Sequence, residues 1–220
     1  MERDRPLLYP VFLDLAHKDV LLVGGGEVAF RRAPPLLLAR CRLTVVATHF
    51  SPAFRDWLDQ NRVTREERRY RDGEAEAFFL VIAATDDPAV NHEIFEDGTR
   101  AGRLVNVADD PRWCSFQVPA MLRRGDLQIA VSTGGICPAL AARLRQDLDR
   151  TIPERYGPLL ERLAVLREHL QRTLRDPVSR KRSLEAILTS GAVERFLEGD
   201  EEPLEEAVRR GCDGHDPDPG

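Results

Sequence analysis

Three stretches of the 220-residue chain combine residue types that act on ligands. In Leu21-Leu22-Val23-Gly24-Gly25-Gly26-Glu27-Val28-Ala29, an apolar run leads into a glycine cluster and then into helix-forming residues. Gly-x-Gly-x-x-Ala between a buried strand and a helix is the pattern of a dinucleotide-binding turn. Gly24 permits the turn, Gly26 lets the backbone approach a pyrophosphate, and Ala29 lets the helix pack on the strand. The first N–H groups of that helix and its positive dipole end then face the phosphates. In the second stretch, Asn106-Val107-Ala108-Asp109-Asp110-Pro111, two carboxylates stand just past an apolar run. Ligands of open α/β sheets bind beyond the carboxyl ends of strands, and a carboxylate there can accept a proton; capping a turn before Pro111 is the plainer role. The third stretch, Ser132-Thr133-Gly134-Gly135, opens a helix. Its hydroxyls and N–H groups suit an anionic ligand, or they simply cap the helix.

The elements around these stretches follow from periodicity. Strands are expected at Val20–Val23, Leu43–Ala47, Phe78–Ala84 and Leu104–Ala108, with helices at Glu27–Ala39, Pro52–Gln60 and Ala89–Ala101 between them. Val11–Leu15 is a further short apolar stretch, and Arg65–Arg71 is polar and edge-like. Such βαβ alternation predicts an α/β fold with a parallel sheet. Pro34 and Pro35 predict a kink or restart in the first helix, because proline removes a donor and crowds the preceding turn. After Pro111 the pattern changes. Ser115–Met121 and Leu127–Val131 flank a hairpin turn, Arg123-Arg124-Gly125-Asp126. Two antiparallel strands cannot hide both faces, so this hairpin favours pairing with a second subunit. A helix follows with Pro138 in its first turn. Beyond Pro153, leucines 159, 160, 163, 166 and 170 recur at helical spacing. Gly211–Gly220 is rich in Gly, Pro and Asp and is expected to be disordered.

Composition narrows the function classes. A net charge of -5 argues against a nucleic-acid partner. The negative charge gathers at the end: nine acidic residues lie from Glu198 onward, against Arg209 and Arg210. Cys41, Cys114, Cys137 and Cys212 form no C-x-x-C pair, which suits a reduced cytosolic protein without structural zinc. The five histidines show no metal-ligand spacing, so no resident metal is expected. No signal-like segment occurs, and no apolar run approaches the roughly 20 residues of a membrane span. A soluble, cytoplasmic protein with no membrane partner is expected.

The motif order goes further. Ala83-Ala84-Thr85-Asp86-Asp87 with Val90-Asn91, then Asn106-Val107-Ala108-Asp109-Asp110-Pro111, Cys114-Ser115-Phe116, Ala130-Val131-Ser132-Thr133-Gly134-Gly135 and Pro138-Ala139-Leu140-Ala141 follow one another. This succession closely resembles the precorrin-2 dehydrogenase/sirohydrochlorin ferrochelatase family of siroheme biosynthesis, including the N-terminal half of the fused siroheme synthase. Tyr9-Pro10-Val11-Phe12-Leu13-Asp14-Leu15 fits the family's approach to the glycine turn. The resemblance spans roughly residues 8 to 170.

The resemblance implies a three-part homodimeric subunit: a Rossmann-like NAD-binding domain at 1–112, a small dimerisation domain at 113–150 and a helical domain at 151–210, before the tail at 211–220. It implies oxidation of precorrin-2 to sirohydrochlorin with NAD, and in many members Fe2+ insertion to give siroheme. The fused enzyme's methyltransferase domain does not fit in 220 residues, so precorrin-2 is expected from another chain. The family motif picks Asp109 as catalytic and leaves Asp110 as a turn residue; spacing alone does not choose. Gly24, Gly26, Glu27 and Val28 are expected along the pyrophosphate, Thr48 and His49 near the adenosine ribose, and Ala84 and Thr85 toward the nicotinamide. Ser132 and Thr133 are the expected substrate-binding residues. The acid that usually holds the ribose is missing at Thr48-His49, so the choice of NAD over NADP rests on the family. Two other readings stay open: a dehydrogenase served by a separate chelatase, and a non-catalytic module sensing NAD(H) or tetrapyrroles, which would need no base.

Overall fold

The computed structural model describes residues 7–108 and 110–212. The chain divides between Val118 and Pro119 into two compact units.

The first unit is a five-stranded sheet. Its strands are β1 (Asp19–Val23), β2 (Arg42–Ala47), β3 (Thr64–Glu67), β4 (Leu80–Ala83) and β5 (Leu104–Val107), in the order β3-β2-β1-β4-β5 and all parallel. Between them run α1 (Glu27–Leu38), α2 (Pro52–Gln60) and α3 (Pro88–Arg100). The central strand β1 is covered on both faces, which is why it reads as a continuous apolar run. Val20 and Leu22 join a cluster with Ala29, Ala33, Leu36, Phe54 and Leu58, residues of α1 and α2. Leu21 and Val23 join the opposite cluster with Ile94 of α3. Thr-Arg-Glu-Glu of β3 lies at the edge, where polar side chains stay in water. The strand order reverses between β1 and β4, and at such a switch point the diverging loops leave a crevice.

Some local expectations are corrected. Pro34 and Pro35 sit inside one unbroken helix, α1. The two prolines take away the donors that would reach the Phe30 and Arg31 carbonyls. Burial of Ala29, Ala33 and Leu36 nevertheless holds the helix on the sheet, and Ala39 N–H closes its end on the Pro35 and Leu36 carbonyls. The apolar stretch Val11–Leu15 is irregular, with only Leu15 buried. The second unit's first strand is β6 (Ala120–Arg124), not 115–121. The reason is that Ser115 is bound to β5, its N–H reaching the Val105 carbonyl at 2.8 Å.

In the second unit β6 pairs antiparallel with β7 (Leu127–Val131) across a turn at Gly125, whose φ is +57°. The helices α4 (Pro138–Thr151), α5 (Tyr156–Thr173), α6 (Pro177–Thr189), α7 (Ala192–Glu198) and α8 (Glu202–Cys212) follow. Leu159, Leu166, Leu170, Ile187, Phe196 and Leu204 form the core of α5 to α8. The Arg124 guanidinium is buried and donates to the Ile152 and Asp149 carbonyls and to the Asp149 carboxylate, fixing the hairpin to the end of α4. Met121, Ile136, Leu140 and Leu144 remain exposed. Because α8 continues through Cys212, Gly211 and Cys212 are helical rather than tail; residues 213–220 lie outside the described residues. Among the described residues no helix is long and apolar enough to cross a membrane.

Candidate functional site

The crevice beside β1 is shaped first by backbone. Gly24 has φ +136°, a conformation that side chains resist, and any Cβ there would run into the Ala84 carbonyl. Its N–H donates to the Val46 carbonyl at 2.9 Å, tying the turn to the end of β2. A Cβ on Gly25 would collide with the His49 carbonyl, and the Gly25 carbonyl accepts the Ser51 N–H at 2.9 Å. The sequence pattern reads only the first and third glycines, so Gly25 went unassigned; the unbroken triplet was its signal. Gly26 is different. It caps α1 without any side-chain bond, and a Cβ built there would meet nothing within 4 Å. The helix N-terminus at Glu27 and Val28 therefore opens onto free space, the shape a pyrophosphate needs.

Thr48 and His49 follow β2 and are exposed beside this turn. Among the described residues, the segment that follows β2, Thr48-His49-Phe50-Ser51, carries no carboxylate. On the neighbouring β3 the carboxylates are engaged: Glu67 binds Arg55 through both oxygens at 3.0 Å, and Glu66 receives Arg68. Arg68 also pairs with Glu74, and Arg65 with Asp59.

Ala84 and Thr85 leave β4 on the other side of the glycine turn. Ala84 N–H donates to the Val23 carbonyl at 2.7 Å. Thr85 is held by Asn91 of α3: its N–H and its hydroxyl donate to Asn91 Oδ1 at 3.2 and 2.7 Å, and Asn91 Nδ2 donates to the Thr85 carbonyl at 3.1 Å. Asp87 caps α3, accepting the Ala89 N–H at 2.9 Å. The structure thus brings Gly24–Val28, Thr48–His49 and Ala84–Thr85 together at three neighbouring strand ends.

Asp109 lies outside the described residues. Its sequence neighbours are held tightly. Ala108 N–H donates to the Ala83 carbonyl at 2.8 Å, so the chain leaves β5 beside the end of β4. Asp110 accepts the Arg112 N–H at 3.1 Å and pairs with the Arg112 guanidinium at 2.8 Å, which holds its carboxyl below the usual carboxylate range. Asp110 is thus engaged as a turn residue. Cys114 accepts the Val107 N–H at 3.3 Å and reaches the Val107 and Asp110 carbonyls at 3.3 and 3.2 Å. Burial pushes its thiol pKa up, keeping the proton that these contacts use. Trp113 packs edge-on against His92 and Phe95 of α3, pinning the segment after Asp110 to that helix.

Ser132 and Thr133 belong to the second unit. Ser132 Oγ accepts the Gly134 N–H and Thr133 Oγ1 the Cys137 N–H, each at 3.1 Å, so both hydroxyls shape the loop before α4. Each retains a hydroxyl hydrogen to donate.

Known proteins resemble this arrangement closely. Residues 11–120 match a family model described as "Putative NAD(P)-binding", and residues 124–151 match "Sirohaem biosynthesis protein central". The siroheme synthase of Nitrosococcus oceani is 35% identical over 205 residues, covering 93% of this chain and 44% of that protein. That of Methylococcus capsulatus is 37% identical over 204 residues, covering 93% and 43%. The chain thus spans under half the length of these relatives. A solved structure titled "SirC, precorrin-2 dehydrogenase" aligns with a TM-score of 0.76 at 27% identity, over 92% of this chain and 100% of its own. The glycine turn and the motifs behind it therefore mark the chain as a member of the precorrin-2 dehydrogenase/sirohydrochlorin ferrochelatase family of NAD(P)-binding proteins.

Proposed function

We propose that the chain is a precorrin-2 dehydrogenase that uses NAD to give sirohydrochlorin, and that it also inserts Fe2+ to give siroheme. The observation that carries the reading is the open, side-chain-free start of α1 at Gly26, set in a crevice where the ends of β1, β2 and β4 converge. The dinucleotide fits there: Gly26 leaves room for the phosphates, and the N–H groups of Glu27 and Val28 are aimed at them. Thr48 and His49 would lie along the adenosine ribose, and Ala84 and Thr85 beside the nicotinamide. Bound NAD supplies the hydride acceptor. The remaining demand is a base for the proton that leaves the tetrapyrrole, and Asp109, past the end of β5, is assigned that task. Metal insertion displaces two pyrrole N–H protons, which the same carboxylate can accept one at a time and release to solvent, with Fe2+ as substrate rather than resident cofactor. Ser132 and Thr133 would donate to substrate carboxylates.

The subunit is proposed to work as a cytoplasmic homodimer, with 1–112 binding NAD, 113–150 pairing subunits and 151–210 forming the helical domain. Exposure of Met121 in the hairpin, Ile136 in the loop after it, and Leu140 and Leu144 in α4 supports pairing there. Incubation with precorrin-2 and NAD, followed by NADH absorbance, tests the first step. Asp109→Ala is expected to abolish turnover while NAD binding survives; normal turnover would end the Asp109 assignment. Adding Fe2+ to sirohydrochlorin and watching for the siroheme spectrum against a no-enzyme control tests the second step. No acceleration would leave a dehydrogenase alone.

A further inference from the structure

The Asn91 side chain has no role in the reading above, yet it makes an unusual set of bonds. A single carboxamide takes the N–H, the carbonyl and the hydroxyl of one residue, Thr85. The Thr85 oxygen in turn accepts the Asp87 N–H at 3.2 Å. With its N–H and hydroxyl hydrogen spent inside the loop, Thr85 has no donor left for a ligand. What the loop offers instead is a fixed position. One flank rests against Gly24, where the Ala84 carbonyl fills the space a side chain would need. The other flank is held from α3 by Asn91.

We infer that Asn91 is a positioning residue that sets the nicotinamide side of the cofactor crevice. The inference rests on the proposed placement of Ala84 and Thr85 beside the nicotinamide. The two sides of the crevice are anchored separately, and this makes the inference specific. Gly24 and Gly25 are tied to β2 and the segment after it, through Val46 and Ser51. Those ties do not involve Asn91, so the phosphate and adenosine contacts should survive its loss. The β4 loop should not. Removing the carboxamide frees the Thr85 N–H and carbonyl together, and the loop then has to be ordered when the nicotinamide binds.

Titration of the intact protein with NADH and with ADP-ribose, which lacks the nicotinamide, separates the two sides. Asn91→Ala is expected to weaken NADH about tenfold, the scale of one lost polar latch, with ADP-ribose changed less than about twofold. Asn91→Asp keeps both bonds accepted from Thr85 and loses only the donated one, so it should recover part of the loss. NADH affinity equal to wild type in Asn91→Ala, or equal weakening of both ligands, overturns the inference. If Asn91→Ala does not fold, Asn91→Asp decides by the same criterion, a selective loss of NADH against an equal loss of both. Gly26→Val tests the underlying reading separately, because a side chain there should weaken both ligands. If it weakens neither, the dinucleotide site itself is misplaced. If wild type binds the two ligands equally, the nicotinamide placement fails, and the role of Asn91 fails with it.

Discussion

The turn after β1 and the loop after β4 lie side by side and are built in opposite ways. The first is shaped by what is missing: three glycines, one strained for any other residue, one pressed against a carbonyl, one facing open space. The second is shaped by what is present, an amide and a hydroxyl whose bonding groups are spent on the chain itself. Backbone-built turns tolerate almost no substitution but need no partner. Latched loops tolerate neighbours but fail when one distant residue changes. The segment after β5 is of the second kind, with Cys114 as its latch.

Breaking the glycine side should cost most. Gly24→Val meets both the left-handed backbone and the Ala84 carbonyl, and should lower stability by about 2–4 kcal/mol. It should also remove measurable NADH binding. A thermal melt within a degree or so of wild type would show that the turn relaxes freely. On the latched side, Cys114→Ala leaves the Val107 N–H without its sulfur partner, with an expected loss of about 1–2 kcal/mol. Cys114→Ser should recover part of it. The same burial predicts that iodoacetamide modifies exposed Cys137 well before Cys114 or Cys41, read by peptide mass spectrometry. Equal rates would mean the latch opens readily. The smallest effect belongs to Asp110, whose folded pKa is depressed by Arg112. Its contribution should be present above its unfolded value near about 3.9 and fade as pH falls through the lower folded value. The melting difference between wild type and Asp110→Asn should therefore shrink on acidification, and a difference that grows would reverse the assignment.

This contrast explains how much could be read in advance. Gly24 and Gly26 are legible because only one residue type meets a backbone demand, and the strand and helix around them are fixed by local periodicity. Asn91 was visible as part of a motif, but its task was not, because a bond across six residues depends on where α3 starts. Cys114 and Ser115 were hidden similarly: nothing local says that 114–116 returns to β5 instead of beginning the hairpin. Pro34 and Pro35 misled for the converse reason. Their local penalty is real, but burial of Ala29, Ala33 and Leu36 outweighs it.

That return of the chain along β5 has a further consequence. The outward-facing N–H and carbonyl of Val105 are both taken by Ser115, and the N–H of Val107 is taken by Cys114. The sheet's far margin thus offers no bare row of donors and acceptors, while the opposite margin is the short, charged β3. Unprotected margins invite strand-to-strand aggregation. Here one is sealed by the protein's own backbone and the other by charge, so an assembly of this unit has to form through side chains and helices.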